Sequence, residues 1–171
     1  MVREQESEQL VYNRQKAVAY ARKWALRRNP TYYNFTGLGG DCANFTSQCI
    51  YEGAGIMNYK KLYGWYYNSS VDRAPSWSSV KYLHKFLTAN KGIGPYASET
   101  DITAMQPGDT IQLATYLPEF HHTLIVAETG EIPAPDNILI CAHSYDSIDR
   151  PLDSYEITKI RFIHIEGVRE L

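Results

Sequence analysis

The sequence predicts an α+β fold with an antiparallel sheet in its C-terminal half. Helical periodicity dominates up to about Met105, and short runs rich in β-branched and aromatic residues dominate after it. Helices followed by a run of adjacent strands belong to the α+β class rather than to an alternating α/β one. Size is the third observation. A chain of 171 residues is the length of one domain, and no repeat, low-complexity tract or linker divides it. Such a domain buries roughly 70% of the surface of its unfolded chain and needs no disulfide staples.

The first helix is expected from Asn13 to Arg28, with Asn13 as N-cap and Leu10 and Val11 extending the pattern upstream. Ala17, Ala21, Trp24 and Ala25 form its apolar stripe, and Asn29-Pro30 ends it. Gly37, Gly39 and Gly40 then mark a tight, irregular connection. Asp41 is placed to cap a second helix, Cys42 to Glu52, with Gly53 and Gly55 as its stop signal. Residues 59–70 hold five aromatics in no helical period. A third helix is expected from Ser78 to Asn90, with Val80, Leu83, Phe86 and Leu87 inward. Strands follow at Thr110–Ala114, Thr123–Glu128, Ile138–Ala142 and Tyr155–Ile165.

Composition narrows the function classes. The net charge of −2, from 17 basic and 19 acidic residues, argues against a nucleic-acid binder. No apolar run approaches the ~20 residues of a membrane span. The opening Met1–Glu8 is polar and acidic, unlike a signal peptide. Two counts stand out, 14 tyrosines and 3 cysteines. An odd cysteine number leaves at least one thiol free.

Cys42 is the cysteine placed for chemistry. A helix start carries unpaired N–H groups and partial positive charge, which favour a thiolate and can hold an oxyanion. The competing reading is a small residue packed under a glycine-rich turn. Cys49, about 10.5 Å further along the helix, and Cys141, inside an apolar run, read as core. A thiol nucleophile needs a base, and five histidines are available: His84, His121, His122, His143 and His164. His122 heads a strand whose Leu124 and Val126 share its face. His143 ends a run that reads as the neighbouring strand, so the two rings are expected to touch across the ladder, one orienting the other. Periodicity alone leaves His121 and His122 both open. His84 and His164 read as structural.

The motifs Tyr12-Asn13-Arg14, Gly39-Gly40-Asp41-Cys42-Ala43-Asn44-Phe45, Pro107-Gly108-Asp109, His122-Thr123-Leu124-Ile125-Val126 and Ala142-His143-Ser144 resemble the bacterial putative amidase domain family over about Tyr12 to Ile165. That family is similar to the papain-like cysteine peptidases and amidases of the NlpC/P60 and CHAP type. The resemblance implies a papain-like fold, with the nucleophile helix packed on the C-terminal sheet, in a single domain spanning residues 1–171. It implies Cys42 as nucleophile, His122 rather than His121 as general base, and His143 as the orienting residue. Tyr32 or Tyr33 would support the oxyanion. Asp41 is expected to cap the helix and Asp109 to shape a turn. Ala43 departs from the family's usual threonine, which leaves the backbone N–H unchanged.

The expected reaction is amide hydrolysis through a thioester, with the Cys42 thiolate paired to an imidazolium His122. No cofactor or metal is implied. The expected substrate is a peptidoglycan peptide or a related cell-surface amide, handled by a monomer in an extracellular or cell-wall setting. Trp65, Tyr66, Trp77 and His121 are candidates for the wall of a substrate groove. The rivals are a non-catalytic binding module of the same fold and a metal hydrolase using His121, His122, His143 and Cys141 or Asp109. No HExxH or CxxC spacing supports the metal reading.

Overall fold

The computed structural model describes residues 9–171, and the reading of Met1–Glu8 lies outside the described residues. The chain runs β1 (Gln9–Leu10), α1 (Arg14–Trp24), α2 (Cys42–Ala54), β2 (Tyr67–Ser69), β3 (Asp72–Arg73), α3 (Pro75–Ser78) and α4 (Val80–Ala89). It continues through β4 (Gly94–Thr100), β5 (Thr110–Ala114), β6 (His122–Glu128), β7 (Leu139–Ala142), β8 (Ser147–Pro151) and β9 (Lys159–Arg169). Seven strands form one antiparallel sheet in the order β1-β9-β5-β6-β7-β8, with β4 also paired to β9. The class is therefore mixed α+β. Among the described residues no helix is long and apolar enough to cross a membrane.

Helix α1 starts where its cap predicts, with Asn13 accepting from the Lys16 N–H at 3.0 Å. It stops at Trp24, four residues early, because the Trp24 carbonyl turns to accept from the Arg27 N–H and from His143 Nε2. Leu10 does not prolong it but pairs with Val168 as an edge strand. Helix α2 runs two residues past Glu52, to Ala54, and ends on Gly55 at φ +71°, whose N–H donates to the Tyr51 carbonyl at 2.7 Å. Helix α4 takes its cap from Ser79 and buries Leu83, Phe86 and Leu87, with Val80 only half-buried.

Four strands fall where expected, three of them with shifted ends. Two others, β4 and β8, carried no apolar pattern. β4 begins at the Gly94-Pro95 breaker, which an edge strand tolerates because its outer N–H positions need no partner. β8 is polar and is held by its ladder to β7 rather than by burial.

The sheet has two buried faces. Ile125, Cys141, Ile163 and Ile165 pack against Ala21, Phe45, Cys49 and Ile50 of α1 and α2. Ile111, Leu113, Leu124, Val126 and Ile140 form the opposite core with Met105 and Leu152, and Tyr155 and Ile157 cover it. Strand alternation sends His122 to this second face and Thr123 to the helix face.

The N-terminal motif binds the two halves together. The Tyr12 hydroxyl donates to the Gly108 carbonyl at 2.8 Å. Arg14 donates to the Pro107 and Ile165 carbonyls and, at 2.7 Å, to the fully buried Asp109. Asp109 also accepts from the Gln106 and Ile165 N–H groups and pairs with His164 Nδ1 at 2.8 Å. All of these contacts are internal, so Asp109 shapes the turn before β5.

Candidate active site

The approach to α2 is set by Gly39 and Gly40, at φ +91° and +106°. A Cβ on Gly40 would stand 3.1 Å from Ser144 Oγ, the atom that accepts the Asp41 N–H. The loop thereby delivers Cys42 as the first residue of α2, only 6% exposed. Its Sγ donates to the His121 carbonyl at 3.8 Å, and the N–H groups of Thr123, Ala43 and Cys42 itself face it. The β6–β7 ladder begins only at Ile125 and Cys141, so the start of β6 has a free edge there, and the helix start abuts it.

The electrostatics differ from the helix-start expectation. Burial pushes the Cys42 thiol up, and the surrounding N–H groups offset only part of this. The neighbouring Asp41 carboxylate adds to the rise. His122 is 8% exposed, and burial, His121 and Arg150 push its imidazole down to about 4. At rest Cys42 is held as a thiol and His122 as a neutral ring, not as a thiolate and an imidazolium, because desolvation outweighs the dipole.

Asp41 does not cap α2. Its side chain turns back instead, with Oδ1 accepting from the Phe35 N–H at 2.8 Å and from Asn44 Nδ2 at 2.9 Å. Its Oδ2 holds His143 Nδ1 at 2.6 Å, and Arg28 Nε lies 3.5 Å away. Burial opposes ionisation, but the hydrogen bonds from His143, Asn44 and Phe35 outweigh it and keep the carboxyl below its ordinary range. The other ring nitrogen, Nε2, is held 2.8 Å from the Trp24 carbonyl. The ring also stacks on Phe45 at 3.9 Å between centroids.

His143 therefore does not orient His122. Register explains the difference: Cys141 and His143 share the helix face of the sheet, and His122 lies on the other. His122 forms no hydrogen bond among the described residues, and its ring neighbour is Tyr155, 5.8 Å away. Phe45, one turn after Cys42, was a legible partner for a ring on that face. The contributions of Arg28 and the Trp24 carbonyl left no sequence signal.

The remaining candidates disperse. Tyr32 stacks on Trp77 and lies tilted against Tyr67, Tyr33 packs edge-on to Phe35, and neither hydrogen-bonds Cys42. Trp65 and Trp77 are fully buried and donate to Ser47 and Asn44 of α2, and Tyr66 is buried beside Tyr59. They form the core under α2, not the wall of a groove, because indole bodies this large gain most from full burial once their N–H groups find partners. His121 Nε2 accepts from the Thr115 N–H at 3.1 Å. The donors of the metal rival do not converge: His143 serves Asp41, Asp109 serves Arg14 and His164, and Cys141 packs in the core with Cys49. A cleft of about 570 Å³ lies at the far end of α2, lined by Asn58, Lys60, Tyr63, Tyr82 and Phe86.

Residues 11–166 match the family model described as "Putative amidase domain", a span that includes both buried carboxylates, Cys42 and all five histidines. The chain belongs to this putative amidase domain family. Membership makes it, at the general level, a domain of the amide hydrolase kind. The amidase domain is 32% identical over 144 residues to the uncharacterized protein YhbB of Bacillus subtilis (strain 168). That match covers 80% of this chain and 42% of the relative, so the amidase domain spans less than half of that protein's length. No solved structure matches it.

Proposed function

We propose that this domain is a cysteine-dependent amidase or endopeptidase with Cys42 as nucleophile and His122 as general base. The observation that carries the reading is the seat of Cys42, at the first turn of α2 with Sγ against the backbone of the strand start that bears His122. No hydrogen bond joins Sγ to His122 at rest. Catalytic contacts of this kind often tighten only with substrate.

The chemistry follows from the resting protonation. As the Sγ–carbon bond forms, His122 takes the thiol proton and the carbonyl electron pair moves onto oxygen. The Cys42 N–H donates to that oxyanion. Collapse breaks the C–N bond, and His122 hands its proton to the departing nitrogen. Water, deprotonated by His122, then cleaves the thioester and restores the thiol. His143 and Asp41 act as positioning residues that lock the start of α2. The papain-like arrangement of NlpC/P60 and CHAP enzymes supports this assignment through the motif resemblance. It also supports a peptidoglycan stem peptide as substrate and the cell envelope as setting.

The test is digestion of purified peptidoglycan by wild type and Cys42→Ala, with new amine ends read by mass spectrometry. New ends from wild type alone support the reading. Equal release by both proteins refutes the nucleophile, and release by neither refutes the substrate.

A further inference from the structure

We propose that Tyr155 is a further catalytic residue, whose hydroxyl donates a hydrogen bond to the oxyanion formed when Cys42 attacks a carbonyl. This rests on Cys42 as the nucleophile. The Tyr155 hydroxyl is buried yet has no hydrogen-bond partner among the described residues. A buried, unpaired donor is costly, and its persistence points to a partner that arrives with the substrate.

The surroundings say where that partner sits. The Tyr155 ring lies 5.8 Å from the His122 ring at an interplanar angle of 55°. A charge on Cys42 is felt at its phenol. The hydroxyl thus shares the space next to both residues of the proposed nucleophile–base pair.

The polar side chains next to the phenol are Ser147 and Arg150. Neither meets the geometry of a hydrogen bond to the hydroxyl: Ser147 Oγ donates to the Tyr145 carbonyl at 2.8 Å, and Arg150 Nε and Nη2 point to Ser154. The Arg150 guanidinium lies over the ring, 3.6 Å from its centroid, and holds the phenol in place. Burial pushes the phenol up, so it keeps its proton and remains a donor throughout the neutral range. The two tyrosines upstream of Cys42 are engaged in the aromatic cluster. The side-chain donor opposite the Cys42 N–H therefore comes from the segment leading into β9, on the second face of the sheet.

Two thiol probes separate this role from a structural one. p-Nitrophenyl acetate acylates a thiol through a tetrahedral oxyanion: the Sγ–carbon bond forms, the carbon–oxygen bond breaks and p-nitrophenolate leaves. Iodoacetamide alkylates the same thiol by direct displacement of iodide, with no oxyanion. Tyr155→Phe keeps the ring, its Arg150 stack and its His122 contact. It is expected to slow acylation of Cys42 about 100-fold while leaving alkylation at the same pH unchanged. Its melting temperature is expected to equal or exceed that of wild type, since an orphan hydroxyl is removed. Equal acylation of wild type and variant overturns the proposal, as does an equal fall with both probes. Failure of p-nitrophenyl acetate to acylate Cys42 in the wild type overturns the nucleophile reading, and this proposal with it.

Discussion

Asp41→Asn is the substitution whose cost follows most directly from the structure. The carboxylate is wholly buried and takes hydrogen bonds from Phe35, Asn44 and His143, with Arg28 nearby. Asparagine keeps one oxygen for Phe35 and Asn44 but turns an NH2 toward His143 Nδ1, which must give up its proton to accept from it, and toward the Arg28 Nε–H, where donor faces donor. Replacing the charged acceptor of these hydrogen bonds costs about 1.5–3 kcal/mol. For a chain of this length that is about 3–12 °C in melting temperature. Urea unfolding at pH 7 measures it. The sign with pH is fixed by the depressed carboxyl. Its contribution is present above the unfolded value near 3.8 and is lost as pH falls through the folded value, so the gap between wild type and variant narrows in acid. The double variant with His143→Leu should lose less than the sum of the single variants, because the two side chains share one hydrogen bond. A loss below about 1 kcal/mol for Asp41→Asn, short of the worth of one hydrogen bond to a charged group, would refute the reasoning.

The lowered His122 makes a second prediction. Its folded value of about 4 lies below the ordinary imidazole value of 6.5, so the unfolded state binds more protons between them. Stability should fall by about 3 kcal/mol from pH 7 to pH 4, and His122→Asn should flatten that slope; an unchanged slope rejects the assignment. His164, raised by Asp109, runs the other way: its contribution is full below pH 6.5 and declines as pH rises through its folded value. Alkylation of Cys42 by iodoacetamide should keep climbing above pH 9, because burial lifts the thiol above the ordinary cysteine value of 9.0; a plateau below pH 7 would mean a resting ion pair instead. Gly40→Ala should cost about 1–3 kcal/mol in thermal unfolding, from its φ of +106° and the Ser144 hydroxyl 3.1 Å from the new Cβ. A near-neutral result would show that the loop relaxes.

Much of the fold was legible because it is written in local patterns. The caps of α1 and α4, the apolar stripe of α4 and the alternation along β5 and β6 all depend on neighbours within a few residues. Elements without such a pattern escaped. β8 is a strand because β7 offers it a ladder, and β4 begins on a glycine and a proline. The aromatic stretch carried no period, so nothing local separated a groove wall from a core. Only the packing of Trp65 and Trp77 beneath α2 shows that it is core.

The candidate site divides in the same way. Sequence by itself determined that Cys42 opens a helix after two glycines and an aspartate, that Cys49 and Cys141 are core, and that His122 heads a strand. These follow from chain spacing and backbone conformation. Tertiary structure decided the partners and the charges. It set Asp41 on His143 rather than on the helix N–H groups, turned His143 and His122 to opposite faces of the sheet, and surrounded Cys42 with enough protein to keep its proton on. Register between strands, and the water excluded when faces meet, are properties of segments far apart in the chain, and spacing along it records neither.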